Sequence, residues 1–340
     1  MPVTASAILS DVVHLEGPGK LRFRDGGFVY EPSRGESIKI AAQHLCRLVC
    51  YGPVEVTAPA MEECARRNVD LAWLTLSGHR FRMRLVPPES PSVLSRLKQL
   101  AAYGNPLWCL EQAKNLVSLK LETIAAALRH GQRHGAAMAG EIHSAIVPLI
   151  AKVACVASIP ALRGLEGAGS AIWFDYFRTR VPLPWTFTKR IRRPATDAVN
   201  SLLGLASTLL CQRTGAMVAA AGLEPAIGTL HAFRPGRPSL ACDLMEPFRV
   251  SLVDRWVLRM LRGSKITPED FVTHDDGSVT LIEQAFGPVV ALWEAEAAEQ
   301  DVVGHLNELI RQMVDSLPEL PDLDTIENLN NGSEMPFDMA

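Results

Sequence analysis

Several common active-site signatures are missing from this chain. There is no C-x-x-C pair, no H-E-x-x-H, no Walker A glycine loop, no G-x-S-x-G elbow and no H-x-E with P-C-x-x-C. Those absences argue against zinc proteases, P-loop nucleotide hydrolases, serine hydrolases and zinc deaminases. The seven cysteines (46, 50, 64, 109, 155, 211 and 242) are odd in number, and most sit in apolar stretches such as Leu-Val-Cys50-Tyr and Val-Ala-Cys155-Val. Buried thiols in a reducing cytosol are expected, rather than a disulfide framework, a zinc site or an iron–sulfur cluster. Aromatic residues make up only 6% of the chain. The start, Met-Pro-Val-Thr, lacks a basic segment and reaches Asp11 early, so no signal peptide is expected. The most membrane-like stretch, Ala145–Leu162, is broken by Pro148, Lys152 and Pro160, and reads as a buried helix. A cytoplasmic protein with no membrane partner is the expectation.

What is present is enough apolar material for a sizeable core. Of 340 residues, 48% are hydrophobic and 21% charged, which excludes wholesale disorder and allows two domains. The formal charge is −3, but it is unevenly spread. Pro318–Ala340 holds six acids and no lysine or arginine, so the body without it is net positive. Between Tyr176 and Arg193 lie Arg178, Arg180, Lys189, Arg190, Arg192 and Arg193, with no acid among them. Such a run is either a phosphate-binding stripe or a solvated face.

Residues 1–86 alternate short apolar runs with Gly17-Pro-Gly, Asp25-Gly-Gly and Ser33-Arg-Gly turns, the pattern of a small β-sheet domain. One helix, Ala58–Arg67, interrupts it behind Thr57. A Pro-rich linker spans 87–94. Helical periodicity then predicts helices near 93–103, 106–130, 136–157, 165–178, 195–222, 245–262 and 288–316, within a domain of residues 95–317. The acidic tail, 318–340, is expected to be disordered. The fold class is α+β: a small N-terminal β-sheet domain, then a larger all-α domain carrying the active site.

Three polar islands could carry chemistry. In Arg163-Gly-Leu-Glu166-Gly-Ala-Gly169 a carboxylate is bordered by glycines that permit close approach, at the start of an apolar helix. The alternative is an exposed glutamate in a first helical turn. In Gly222-Leu-Glu-Pro-Ala-Ile-Gly228-Thr-Leu-His231 a turn-rich segment delivers an imidazole, as a ligand or as a bonded core residue. In Asp243-Leu-Met-Glu246-Pro-Phe-Arg249 two acids share a helix face; Asp243 could instead be an N-cap closed by Glu246. If Glu166, His231 and Glu246 converge, they would hold one divalent cation able to stabilise charge on a phosphodiester under attack. The arginine and lysine run would neutralise the DNA backbone. His130 and His134 have the spacing of a helical metal pair but no evident carboxylate partner, and read as the polar end of a helix. Trp185 and Phe187 are core residues or a platform for a frayed DNA end.

The stretches Leu162–Ala168, Phe187–Asn200, Gly222–His231, Gly236–Arg249 and Gly263–Phe271, in this order, resemble the CRISPR-associated endonuclease/integrase that inserts new spacers during adaptation. Leu48-Val-Cys-Tyr-Gly52 and Thr57-Ala-Pro-Ala60 resemble that family's strand–helix junction. The resemblance implies metal ligands and catalytic residues at Glu166, His231 and Glu246, with Asp243 auxiliary to them. It implies Mn²⁺ or Mg²⁺, a homodimer formed through the β domains, and a small ferredoxin-like partner protein. The implied reaction is attack by the 3′-hydroxyl of a short DNA fragment on a phosphodiester of the CRISPR repeat. Arg163, Arg178, Lys189, Arg190, Arg192, Arg193 and Arg249 are then candidates for contact with double-stranded DNA. A non-catalytic DNA-binding scaffold and a general metal-dependent nuclease are the competing readings. Two departures stand out. Ser207 and Cys211 lie where many members carry tyrosines, and Ala195 where a second proline is common.

Overall fold

The structure is a computed structural model that describes residues 7–8, 12–43, 45–85, 93–136, 138–192 and 194–320. The expected linker therefore falls mostly outside the described residues, as do most of the acidic tail and Arg193.

The N-terminal strands form two sheets. In the first, β1 (Ala7–Ile8), β2 (Val12–Glu16), β6 (Arg47–Tyr51), β8 (Asp70–Leu74) and β9 (Phe81–Arg84) lie side by side in that order. In the second, β5 (Ile38–Ala41), β4 (Gly27–Pro32), β3 (Gly19–Arg24) and β7 (Val54–Val56) do. The sheets enclose a core with helix α1 (Ala58–Arg66). Thr57 precedes α1 in extended backbone, with Pro59 in its first turn. β6 is buried along its whole length because the first sheet is covered on both sides. Leu48 and Cys50 face the second sheet, while Val49 and Tyr51 join the helical core.

The remainder is built on α2 (Val93–Tyr103), α3 (Pro106–Arg133), α4 (Ala139–Val153), α5 (Ile159–Arg180), α6 (Ala198–Ala220), α7 (Ser239–Met245), α8 (Arg255–Arg262), α9 (Glu283–Glu299) and α10 (Val302–Asp315). A small hairpin, β10 (Phe271–Thr273) with β11 (Val279–Leu281), interrupts the helices. Small N-terminal sheets followed by a mostly helical region give the α+β class. Helix α6 is long and apolar enough to cross a membrane, yet 61% of its apolar window is buried in the protein. It packs against α7, α8, α10 and β11.

Several sequence expectations change. Ala145–Leu162 is not one buried helix: α4 stops at Val153, Val147 is exposed, and Ser158 starts α5 by accepting the Ala161 N–H. Helix 288–316 is two helices, because Asp301 takes a left-handed backbone (φ 44°) and caps Gly304. Cys46 and Cys155 are exposed rather than buried; they lie outside the regular elements, before β6 and after α4. Trp185 and Phe187 are buried: the Trp185 indole donates to the Leu261 carbonyl at 3.0 Å, and Phe187 packs on Phe177, so neither ring is available to a DNA end.

Buried polar contacts fix the sheets to the helices. His14 bonds Tyr51 at 2.8 Å and Glu294 at 3.1 Å, and Arg213 pairs with the same Glu294. Arg84 forms an ion pair with Asp70 at 2.7 Å and donates to the Gly215 carbonyl at 3.1 Å. Beside them His79, in the β8–β9 turn, lies on α6 with Nε2 3.4 Å from the Ser201 hydroxyl. Burial, and then the Arg190 charge, lower its pKa to about 4. A histidine whose folded pKa is depressed keeps its full contribution above its unfolded pKa of about 6.5 and loses it as pH falls toward 4. Urea unfolding of the wild type is expected to lose about 2 kcal/mol over that window. His79→Gln, which cannot titrate, is expected to flatten the slope between pH 6.5 and 4.5.

Candidate metal and phosphodiester site

The site forms where α3, α5 and the segment running from α7 to α8 meet. α3 presents Leu116, Val117, Leu121 and Ile124 to the core at helical spacing, and Lys120 falls on that same buried stripe. Its side chain is only 6% exposed, so the ammonium needs anionic partners. It has two: it donates to Glu166 on α5 and, at 2.6 Å, to Glu246. Glu166 also accepts from the Ser170 hydroxyl one turn on, at 2.9 Å. Glu166 sits well inside α5, not in a first turn, because the helix begins at Ile159.

Glu246 opens a 3₁₀ turn, Glu246–Phe248, which passes into a π-helical stretch, Arg249–Asp254, before α8. The tight 3₁₀ turn stacks Arg249, three residues on, over Glu246, with Nη1 3.0 Å from Oε1. Its second nitrogen reaches the Ser207 hydroxyl at 3.5 Å. Burial alone would raise the Glu246 pKa. Arg249, Lys120 and the nearby His231 outweigh it and hold the group well below the usual carboxylate range.

Asp243 is fully buried inside α7 and does not cap it. Its carboxylate instead gathers the preceding loop: Oδ2 accepts from the Thr229 and Leu230 N–H groups at 2.7 and 2.9 Å, and Oδ1 from His231 N–H at 3.0 Å. Oδ1 also accepts from His231 Nδ1 at 2.6 Å, which places the ring proton on Nδ1. No described residue bonds Nε2, so that lone pair is available for a ligand. A buried carboxylate that orients a histidine through one nitrogen raises the basicity of the other. Gly228 permits the arrangement: a Cβ there would stand 2.6 Å from Asp243 Oδ2 and 2.7 Å from the Ser239 backbone. Arg163 fastens the same loop by donating to the Leu230 carbonyl at 2.6 Å.

Glu166 and Glu246 thus share one cation, and His231 lies close enough to act on Glu246 electrostatically. Among the described residues no three His, Cys, Asp or Glu side chains stand arranged to hold a metal ion. The cation between the two acids is Lys120, a residue that motif reading misses; the available signal was a lysine on an apolar stripe. Of the candidate DNA contacts, Lys189 and Arg192 are exposed, and Arg178 lies 3.9 Å from Asp175. Arg190 turns inward, donating to the Ile191 carbonyl at 2.8 Å and to Asn200 Oδ1 at 2.9 Å. Asn200 in turn accepts from Ile191 N–H and donates to the Lys189 carbonyl, both at 2.9 Å, so it shapes the basic loop. Arg192 is close enough for Glu246 and Glu166 to act on its charge.

The family model described as "CRISPR associated protein Cas1" matches residues 13–295. The chain belongs to the Cas1 family. A curated relative from Thermus thermophilus, CRISPR-associated endonuclease Cas1 3, is 34% identical over 253 residues, 74% of each chain. The Cas1 fold is seen in a CAS1 protein from Thermotoga maritima, with a TM-score of 0.79 at 20% identity over 89% of this chain and 96% of that one. A casposase bound to integration product aligns with a TM-score of 0.78 at 20% identity, over 94% of this chain and 98% of that one. A Cas6-RT-Cas1–Cas2 complex contains a chain that aligns with a TM-score of 0.72 at 21% identity, over 94% of this chain and 37% of that one.

Proposed function

We propose that this Cas1-family chain is a divalent-metal-dependent DNA endonuclease/integrase that joins short DNA fragments to a CRISPR repeat. The observation that carries the reading is the pair of carboxylates, Glu166 and Glu246, already folded around a cation beside an imidazole fixed by a buried aspartate. The donor types suit Mn²⁺ or Mg²⁺: two carboxylates and an imidazole whose Nε2 no described residue bonds. Glu166, His231 and Glu246 would hold the ion, with Lys120 giving up its place. When bound, the ion polarises a phosphodiester and offsets charge that builds up on its oxygens.

The chain's own groups do the rest. Asp243 holds the His231 ring in place through Nδ1 and leaves Nε2 for a ligand. Arg249 keeps Glu246 ionised, and Arg163 holds the His231 loop in place. Arg178, Lys189 and Arg192 line the approach for the phosphate backbone, while Arg190 and Asn200 shape the loop that carries them. In the reaction a 3′-hydroxyl oxygen forms a new bond to phosphorus as the bond to the leaving 3′-oxygen breaks. One phosphodiester replaces another, and the proton lost by the attacking hydroxyl is matched by one taken up at the leaving oxygen. A homodimer through the β domains, double-stranded DNA as fragment and target, a small ferredoxin-like partner and a cytoplasmic setting complete the reading.

The test is target choice. With Mn²⁺ and a labelled fragment, joining is expected on a plasmid bearing a repeat array and not on one lacking it, and chelation is expected to stop it. Uniform nicking of both plasmids would replace the reading by a general nuclease. DNA binding with no cleavage or joining under any divalent ion would replace it by a scaffold.

A further inference from the structure

The same three helical segments that form the carboxylate site enclose a second cavity further along their length. Ala127 on α3 and Trp173 on α5 each lie seven residues beyond Lys120 and Glu166, about 10 Å at the α-helical rise. The cavity has a volume of about 360 Å³. Trp173 and Asp254 wall it off from the carboxylates: the buried indole donates to Asp254 Oδ2 at 2.8 Å.

Its lining is cationic. Arg180, Arg255, Arg259 and Arg262 border it together with His130 and His134, whose rings stack 4.2 Å apart. Only Arg259 is neutralised there, by Glu296. Among the described residues no carboxylate pairs with Arg180, Arg255 or Arg262. The like charges strain one another. Burial first, and then Arg180, lower the Arg262 pKa; burial, His134 and Arg255 lower that of His130.

A second feature points into the same space. Tyr176 is 5% exposed and lines the cavity, yet its hydroxyl has no hydrogen-bond partner among the described residues. Gly131 makes room for it, since a Cβ there would overlap the Tyr176 hydroxyl oxygen. A tyrosine hydroxyl open to the cavity, beside three guanidinium groups that no carboxylate neutralises (Arg262 donates only to the Arg180 carbonyl, at 3.1 Å), makes a preformed anion site. The volume exceeds what a phosphate alone fills, and Ala127, Ala136 and Leu258 supply an apolar wall.

We infer that this cavity binds a nucleoside 5′-phosphate, with the phosphomonoester held by Arg180, Arg255, Arg262 and the Tyr176 hydroxyl. The ligand's source is either a free nucleotide or the 5′-phosphorylated end of a DNA strand. Neither requires the carboxylate site to be catalytic.

Calorimetric titration of the whole protein in EDTA tests this, using 5′-dAMP, deoxyadenosine, and a short single-stranded oligonucleotide with or without a 5′-phosphate. The protein is expected to bind 5′-dAMP and not deoxyadenosine. Arg255→Gln combined with Arg262→Gln is expected to weaken 5′-dAMP at least about tenfold. Tyr176→Phe alone is expected to weaken it about threefold, and serves if the double variant fails to fold. A strand end is the source if the 5′-phosphate tightens the oligonucleotide in the wild type and not in the variant. A free nucleotide is the source if only 5′-dAMP responds. The inference is overturned if 5′-dAMP binds no better than deoxyadenosine and the 5′-phosphate adds nothing to the oligonucleotide, or if Tyr176→Phe and the folded double variant bind as the wild type does.

Discussion

Glu166→Ala is expected to keep its fold and its DNA affinity and to lose Mn²⁺-dependent strand transfer by about 10³-fold, some 4 kcal/mol of transition-state stabilisation. The fold survives for a local reason. Glu166 is a fifth exposed, and its removal leaves Lys120 still bonded to Glu246 at 2.6 Å, so no buried charge is stranded. DNA affinity survives because the exposed cations, Lys189 and Arg192, stand on a loop tied by Asn200 rather than by Glu166. The chemistry fails for two reasons. One of the two carboxylates proposed to hold the ion is gone, and the remaining one is left with Lys120 as a resident counter-ion. Thermal unfolding, a filter-binding assay and a strand-transfer assay on the same preparation check all three parts. Transfer at the wild-type rate would remove Glu166 from the site.

The islands around Glu166, His231 and Glu246 stand out in the sequence because each sets a polar side chain among glycines, prolines and apolar neighbours. Their setting is less legible. The run Gly164, Gly167, Gly169 sets the expected helix start near 165, since each glycine costs a helix about 1 kcal/mol relative to alanine. The structure makes that run helical because α5 packs closely on α3, where Gly169 lies against Leu121. That tertiary contact outweighs local propensity, and a one-dimensional pattern does not contain it. Asp243 fits an N-cap pattern, yet its partners are the backbone groups of residues 229–231, fourteen to twelve positions earlier. Local spacing carries no trace of a loop folding back. The 3₁₀ turn that stacks Arg249 over Glu246, and the π-helical stretch after it, likewise have no composition of their own. Lys120 is different. Its place on the stripe with Val117, Leu121 and Ile124 is visible in the sequence, and a buried lysine implies an anion.

That lysine gives the sharpest test of the cation site that does not depend on catalysis. In Lys120→Met the apolar stem is preserved while the charge between Glu166 and Glu246 is lost. Glu246 is only 5% exposed and keeps Arg249, but two carboxylates now face each other without the shared ammonium. Removing one partner of a buried ion pair typically costs about 3–5 kcal/mol. Arg249 and the partial exposure of Glu166 place this case near the lower end, about 3 kcal/mol in EDTA. Mn²⁺ should then stabilise the variant more than the wild type, because the ion no longer competes with a tethered cation. Ligand binding to the folded state alone adds about 2.7 kcal/mol when the ion is at a hundred times its Kd. Urea midpoints of wild type and Lys120→Met, each with EDTA and with Mn²⁺, should therefore lie far apart without metal and converge with it. A variant that Mn²⁺ stabilises no more than the wild type would show that the two carboxylates do not form the ion's seat.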